Sequence, residues 1–293
     1  MSSVNQSITV IIPTIGSKAR KKCLLHAIDS VVDQSDVTVE PLIVLNGSSY
    51  DNDTRDVLEK KKYLKVKYVK KGSLPLALAY GRASVESPYF CFLDDDDEYL
   101  PGALWKRISV LEDNPKLDVV VTNGVKRWGE KEKLLHESMC EYNEDPLKSL
   151  LSQGNWLASC GGLFRTSSIN LEYFDPEQKY FEWTLVAFKL AYYKMTIRFL
   201  EDKTFIIHDS KDSLSKENEN HEYESLFYNR LTSYELPIEL QAILKKKRMD
   251  ALHKAAEFYC MRGNKKLAWK KHLASLSSTS SFRDYVLFTR KLF

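Results

Sequence analysis

Four consecutive aspartates, Asp94, Asp95, Asp96 and Asp97, follow directly on the apolar run Tyr89-Phe90-Cys91-Phe92-Leu93 and stand just before Pro101. Carboxylates about 5 Å apart repel by roughly 3 kcal/mol at an effective dielectric of about 20, so a tetrad fixed at the end of a buried strand calls for a compensating cation. Hard oxygen ligands suit Mg²⁺ or Mn²⁺, which are typically held by one or two carboxylates together with substrate phosphates. The plainer alternative is a solvated acidic turn capping the helix that Pro101 begins. A second carboxylate, Glu182, falls near the start of the apolar helix expected over Phe181–Tyr193, where the helix dipole favours the ionised form that a general base requires. It could equally be an ordinary first-turn glutamate, and Asp175 and Glu177 lie close enough to compete for the role.

Elements that would position these groups alternate along the chain. Ile8–Ile12 is a short β-branched run ended by Pro13, and Ser17 then opens a helix with Leu24, Leu25, Ile28, Val31 and Val32 on its apolar face. A strand over Val39–Leu45 closes in the turn Asn46-Gly47-Ser48-Ser49. A polar helix around Thr54–Lys60, a strand over Leu64–Val69, a small-residue helix over Leu74–Val85 and the strand Tyr89–Leu93 follow, and much further on His208 closes a strand over Thr204-Phe205-Ile206-Ile207. Continuous apolar strands alternating with helices imply an α/β fold with a mostly parallel sheet covered on both faces. Ligands of such sheets sit beyond the carboxyl ends of the strands, where Thr14, Asn46 and Asp94 all fall.

In this order the stretches resemble a family 2 glycosyltransferase of the nucleotide-diphospho-sugar transferase (GT-A) fold, a Rossmann-like sheet flanked by helices. The resemblance rests on Thr9-Val10-Ile11-Ile12-Pro13-Thr14, on Leu42–Ser49, and on Gly72 with Ala77 and Gly81. It extends through Phe92–Pro101 and Gly161-Gly162-Leu163-Phe164-Arg165 to Phe174-Asp175 and Glu182-Trp183. It spans about residues 7 to 210, and the aspartate stretch is its most specific part.

The resemblance implies a nucleoside-diphosphate sugar donor, a glycan or lipid-linked saccharide acceptor, and Mn²⁺ or Mg²⁺ at the diphosphate. Asp96 then binds the metal directly, Asp94 faces the ribose or the metal's water shell, and Asp95 faces the donor sugar or ribose. Asp97 and Glu98 are expected to be solvated or to cap the next helix. Pro13, Thr14, Asn46 and Gly72 belong to the nucleotide side, Glu182 is the base, and His208 reaches the metal or diphosphate unless it is merely structural. Inversion at the anomeric carbon and a role in cell-surface polysaccharide synthesis follow from the same resemblance.

Three positions depart from the family pattern. Leu45-Asn46 replaces an acidic pair, so a carboxylate contact to uracil becomes an amide contact, with a UDP-sugar still favoured. Leu78-Ala79 stands where Arg-Asn is common, leaving Lys18, Arg20 or Arg82 as substitutes for a diphosphate contact. Phe181 precedes Glu182 where a second acid is frequent. Trp156 and Trp183 could stack on sugar rings, although aromatic packing is the default for both.

Composition agrees. At 293 residues, 43% hydrophobic and 28% charged, the chain can bury one substantial core plus an appendage. Five cysteines without a CxxC spacing point to reduced thiols, and the polar start Met1–Gln6 argues against a signal peptide. These features favour the cytoplasm. The net charge of +3 is too small to imply nucleic-acid binding.

A catalytic domain over 1–215, with a nucleotide half to about 123 and an acceptor half from about 124, should precede a helical C-terminal region over 216–293. Within that region Tyr223–Leu231, Ile238–Arg262 and Lys265–Ser275 read as helices. The last segment, 283–293, mixes aromatic and basic residues. It suits either peripheral contact with an anionic membrane, at the inner face of the cell membrane, or docking on the protein's own core. The competing functions are a sugar- or nucleotide-binding protein of the same fold without turnover, and a nucleotidyltransferase, which would want a Gly-rich basic loop where Thr14–Arg20 stands.

Overall fold

The computed structural model describes residues 7–35, 37–209, 220–276 and 288–289. They fall into two compact units: the residues up to 209 without 151–153, and 151–153 together with those from 220 on.

The first unit opens with β1 (Ser7–Thr14), α1 (Lys21–Val32), β2 (Thr38–Asn46), α2 (Asn52–Lys60), β3 (Lys65–Val69), α3 (Leu74–Ala83) and β4 (Tyr89–Phe92). The apolar runs Ile8–Ile12 and Leu42–Leu45 are buried along their length, as strands covered on both faces must be. These four strands pair in parallel in the order β3-β2-β1-β4. The chain winds outward from β1 to β3 and then returns past β1 to lay β4 on its other side. A crevice therefore opens between the carboxyl ends of β1 and β4. Gly81 lets α3 lie directly on the sheet, since a Cβ there would sit 2.5 Å from Cγ2 of Ile11.

Next come β5 (Glu98–Tyr99), α4 (Ala103–Asp113), β6 (Val119–Trp128), β7 (Lys131–Leu134), α5 (Pro146–Ser152), β8 (Gly162–Arg165), α6 (Glu182–Tyr192) and β9 (Ile197–His208). The sheet continues β4-β8-β6-β9-β5, with β7 on the edge of β6. Here β8 runs antiparallel to β4 and β6, whereas β9 runs parallel to β6. The expected mostly parallel sheet flanked by helices is present, with antiparallel additions in its second half.

Two boundaries differ from the sequence reading. The first helix starts at Lys21 rather than Ser17, because Ser17–Arg20 closes a separate turn in which the Arg20 amide donates to the Ser17 carbonyl at 3.1 Å. The strand ending at His208 starts at Ile197 instead of Thr204, since its polar first half pairs with β6 from Val119 onward.

The second unit contains α7 (Asn220–Leu231), α8 (Ile238–Met261) and α9 (Lys265–Ser275). Gly263, at φ +73°, makes the turn between α8 and α9, and Asn264 caps α9 by accepting from the Leu267 amide at 3.2 Å. Ala256, Ala268 and Phe288 form a small core with Tyr259 and Trp269 against them. Apart from 288–289, the segment 283–293 read as a membrane contact lies outside the described residues, as does the boundary expected at 215. Phe288 itself is buried in that small core. Among the described residues no helix is long and apolar enough to cross a membrane.

Candidate active site

The parallel register of β1 and β4 places Ile11 beside Phe92, and the Leu93 amide extends it by donating to the Ile11 carbonyl at 3.0 Å. Thr14 and Asp95 thereby meet at the crevice. The Thr14 hydroxyl donates to Asp95 and accepts from the Gly16 amide at 3.0 Å. A turn closed by the Asp97 amide on the Asp94 carbonyl at 3.1 Å then reverses the chain into β5.

The four aspartates divide into two pairs. Asp95 and Asp97 are buried and committed to protein partners. Nε of Arg20 reaches both Asp95 oxygens, at 2.9 and 3.1 Å, and a terminal nitrogen of the same guanidinium is 3.0 Å from Oδ2 of Asp96. Asp97 accepts from the His208 backbone amide at 3.0 Å and from the Cys160 thiol at 3.7 Å. Asp94 and Asp96 keep partial exposure. The expectation that Asp97 is solvated is therefore wrong: it is 3% exposed, because β9 returns against β5 and covers it. Glu98 is half-buried as well, with His26, Arg127 and His208 around its carboxylate.

Burial dominates the electrostatics. It pushes the Asp94 carboxyl up to about 7; the charges of Asp96 and Asp95 add to the rise, and a Ser159 hydrogen bond opposes it. Burial also raises Asp97 well above the usual carboxylate range, with Asp94 and Asp96 adding to it, and raises Asp95 against the pull of Arg20. Burial opposes the charge on Arg20, yet Asp95 and Asp96 hold its guanidinium above its ordinary value. One arginine thus offsets part of a dense negative cluster. Half-buried Asp94 and Asp96 supply hard oxygen donors of the kind that Mg²⁺ or Mn²⁺ takes, so the donor set fits either ion.

At the ends of β1 and β2, Pro13 is buried within β1, opposite Val44 of β2. Asn46 ends β2 and accepts from the Ser73 amide at 2.7 Å. Gly47, at φ +97°, passes so near Gly72 that an added Cβ would stand 3.5 Å from the Gly72 Cα. Asn46 and Gly72 are thus joined at the mouth of the crevice, and the Ser73 hydroxyl caps α3. Of the substitutes for a diphosphate contact, Arg82 is committed to the backbone carbonyls of Ile169 and Thr166, both at 2.8 Å. Arg20 is engaged by the aspartates, and Lys18 is exposed.

Glu182 is the first residue of α6, preceded by Tyr180 and Phe181 at φ +58° and +57°. Its carboxylate accepts from the Tyr180 amide at 3.1 Å. Burial raises its pKa, against its own amide and that of Tyr180, so desolvation outweighs the helix-terminal stabilisation expected from sequence. The carboxylate borders a small recess with Pro75, Leu78, Phe174, Asp175 and Gln178. Trp183 packs edge-on to Phe92 and Phe174. Trp156 is buried, donating to the Pro146 carbonyl at 3.0 Å and packing on Phe199. The default of aromatic packing therefore describes both tryptophans.

Sequence reasoning missed Arg20 as the partner of Asp95, Glu98 as a centre of side-chain contacts, and Ser159 and Cys160 beside the tetrad. Only the Ser159-Cys160 pair just ahead of Gly161-Gly162 hinted at polar groups near the aspartates.

A sheet of this topology with an acidic cluster at its switch point defines a nucleotide-sugar transferase fold, and comparison with known proteins agrees. The description of "Glycosyl transferase family 2" matches residues 9–200. The chain belongs to that family, and is a glycosyltransferase.

An uncharacterised glycosyltransferase of Rickettsia typhi is 25% identical over 244 residues, covering 78% of this chain and 74% of the relative. One from Rickettsia prowazekii is 25% identical over 249 residues, with the same coverage of 78% and 74%. Among solved structures, residues 1–349 of S. aureus TarS in complex with UDP superpose with a TM-score of 0.62 at 17% identity, over 89% of this chain and 75% of that one. The complex of the same protein with UDP-GlcNAc gives 0.62 at 16% identity, over 89% and 75%. The likeness to TarS shows the GT-A fold.

Proposed function

We propose that this glycosyltransferase is metal-dependent and inverting, and moves a sugar from a UDP-sugar to a glycan or lipid-linked acceptor of a cell-surface polysaccharide. The observation that carries this reading is the meeting of Thr14 and Asp95 at the open switch point, with half-buried Asp94 and Asp96 beside them. Family membership and the UDP and UDP-GlcNAc complexes of TarS support the donor class.

In this reading Asp96 and Asp94 hold Mn²⁺ or Mg²⁺, with His208 within reach of the same end of the sheet. When bound, such an ion neutralises the charge that develops on the leaving diphosphate. Thr14, Pro13, Asn46 and Gly72 receive the nucleoside, and Asp95 faces the ribose or donor sugar while Arg20 fixes its carboxylate. Glu182 takes the proton from the acceptor hydroxyl as that oxygen attacks the anomeric carbon from the side opposite the diphosphate. Burial raises its pKa, the direction that makes a carboxylate a better proton acceptor. Catalysis takes place in the cytoplasm, at the inner face of the membrane if the acceptor is lipid-linked.

Calorimetry of UDP binding with and without Mn²⁺, on wild type and Asp96→Asn, tests the assignment. Mn²⁺-dependent binding should vanish in the variant while its circular dichroism stays unchanged. Unaltered UDP affinity in Asp96→Asn would defeat it. Mn²⁺-dependent hydrolysis of a UDP-sugar by the wild type would exclude a merely sugar-binding protein.

A further inference from the structure

Positive charge is gathered along one edge of the sheet. Seven lysines fall within residues 60–71, which contain no acid, whereas the whole chain carries a net charge of only +3, so the remainder is net negative. The segment runs from the end of α2 through β3, the outermost strand, which pairs with β2 on one side. Lys60, Lys62, Lys67, Lys70 and Lys71 are exposed, and among the described residues none of the five has an ion-pair partner. Two aromatic rings stand among them, Tyr63 being 48% and Tyr68 40% exposed.

We propose that this edge, from Lys60 to Lys71, is a docking surface for an anionic membrane, with the lysines on lipid phosphates and the two tyrosines at the headgroup level. A lysine held near an anionic leaflet strengthens attachment by about five-fold, so a row of them binds where one does not. Tyrosine, apolar along its ring and polar at its tip, suits the same layer. The five residues of β3 span about 17 Å, so with the lysines beyond both its ends the row is far longer than a single diphosphate and matches an extended surface of phosphates. One end of the row meets the crevice. The Gly47 amide donates to the Val69 carbonyl at 2.8 Å, and Lys70-Lys71 leads directly into Gly72. A membrane held along the row therefore borders the crevice mouth. In serving a lipid-linked acceptor, this surface rests on the function proposed above.

Edge lysines also guard a sheet against pairing edge to edge with another chain. Lys65 and Lys67, which lie in β3 itself, suffice for that, and Lys65 is already paired with Glu40 at 2.7 Å. Guarding the edge explains neither the lysines beyond both ends of the strand nor the exposed tyrosines among them.

Sedimentation of the full chain with vesicles of phosphatidylglycerol and phosphatidylcholine, against vesicles of phosphatidylcholine alone, reads the contact. Wild type should bind only the anionic vesicles, and about 0.5 M NaCl should release it. Lys60→Glu, Lys62→Glu and Lys67→Glu combined should weaken vesicle binding at least about ten-fold and leave UDP affinity within about two-fold. The neutral combination Lys60→Gln, Lys62→Gln, Lys67→Gln should show a smaller loss of the same kind, and it carries the test if the charge-reversed protein fails to fold. Lys245→Glu with Lys246→Glu, exposed on α8, should leave vesicle binding within about three-fold. Equal binding to both vesicle types, or retained binding in both triple variants, would overturn the proposal. A loss as large in the α8 pair would show a response to net charge alone and overturn it too. Loss of UDP affinity in the triple variants would give the lysines to the donor, and capture of soluble polyphosphate without vesicle binding would give them to a phosphate-bearing polymer. Vesicle binding that fails while wild type binds UDP removes this surface and leaves the donor reading standing.

Discussion

Trp183 stands edge-on to Phe92, with ring centroids 5.0 Å apart and planes at 72°. Phe92 ends β4 two residues before Asp94, and Trp183 follows Glu182 directly. One aromatic contact therefore couples the first turn of α6 to the strand that delivers the aspartates, across about ninety residues of chain. Phe90, Phe164 and Phe174 complete the cluster and make its position stiff.

Trp183→Leu keeps an apolar side chain but removes the edge-to-face contact. It should cost about 1–3 kcal/mol of stability by urea denaturation. Transfer should fall more than ten-fold while UDP affinity stays within about three-fold, because α6 loses its alignment with β4 rather than its nucleotide contacts. Parallel losses in binding and transfer would show that Trp183 supports the nucleotide side instead.

Glu182→Gln preserves size and hydrogen-bonding capacity but removes the proposed base. Donor binding should survive, and transfer should drop by roughly 10²-fold or more. The acidic limb of the wild-type pH–rate profile should lie above the usual glutamate range, as its burial-raised pKa requires. Near wild-type transfer in the variant would shift the role to Asp175, which lines the same recess.

The Asp94 carboxyl, pushed up to about 7, exceeds the ordinary aspartate value of about 3.9. Between those two pH values the folded chain keeps a proton that the unfolded chain has released. Stability therefore falls as pH rises through the window and levels off above it. Without divalent ions the thermal midpoint should be higher at pH 5 than at pH 7.5, Asp94→Asn should flatten that slope, and Mn²⁺ should raise the wild-type midpoint more at pH 7.5 than at pH 5. An equal slope in Asp94→Asn would place the proton elsewhere.

The Ser73 amide takes one lone pair of the Asn46 carbonyl oxygen, which leaves the side-chain NH₂ and a second lone pair to offer a nucleobase. UDP should bind best, with weaker discrimination over other nucleoside diphosphates than an acidic residue would give. Asn46→Asp keeps the acceptor for Ser73 and should alter the ranking without loss of stability. Calorimetry that puts GDP or TDP first for the wild type would overturn the uracil assignment.

The first four strands were legible because their signals are local. The β-branched run of β1, its end at Pro13 and Thr14, the Asn46-Gly47 turn and the aspartates behind Phe92 each carry meaning within a few residues. Glu98–Tyr99 reads as part of a solvated acidic turn and becomes a strand only because β9 returns to pair with it. The start of β9 is hidden by Arg198 and the charged run Glu201-Asp202-Lys203, where the register against β6 shifts at Thr122 and Asn123 and breaks the period of two. Arg20 meets Asp95 across 75 residues, and nothing near Arg20 in the sequence announces a partner. Long-range side-chain pairing of that kind is set by sheet order, which periodicity alone does not encode.

Tyr180 and Phe181 hold left-handed backbone conformations in succession, and a non-glycine residue in that region costs roughly 1–2 kcal/mol. The turn that presents Glu182 is thus a point of stored strain, and heat resistance gained by relaxing it would come at the expense of turnover. Laboratory evolution for thermal tolerance alone should accumulate glycine or asparagine at 180 and 181, whereas selection that also demands transfer should leave both positions untouched.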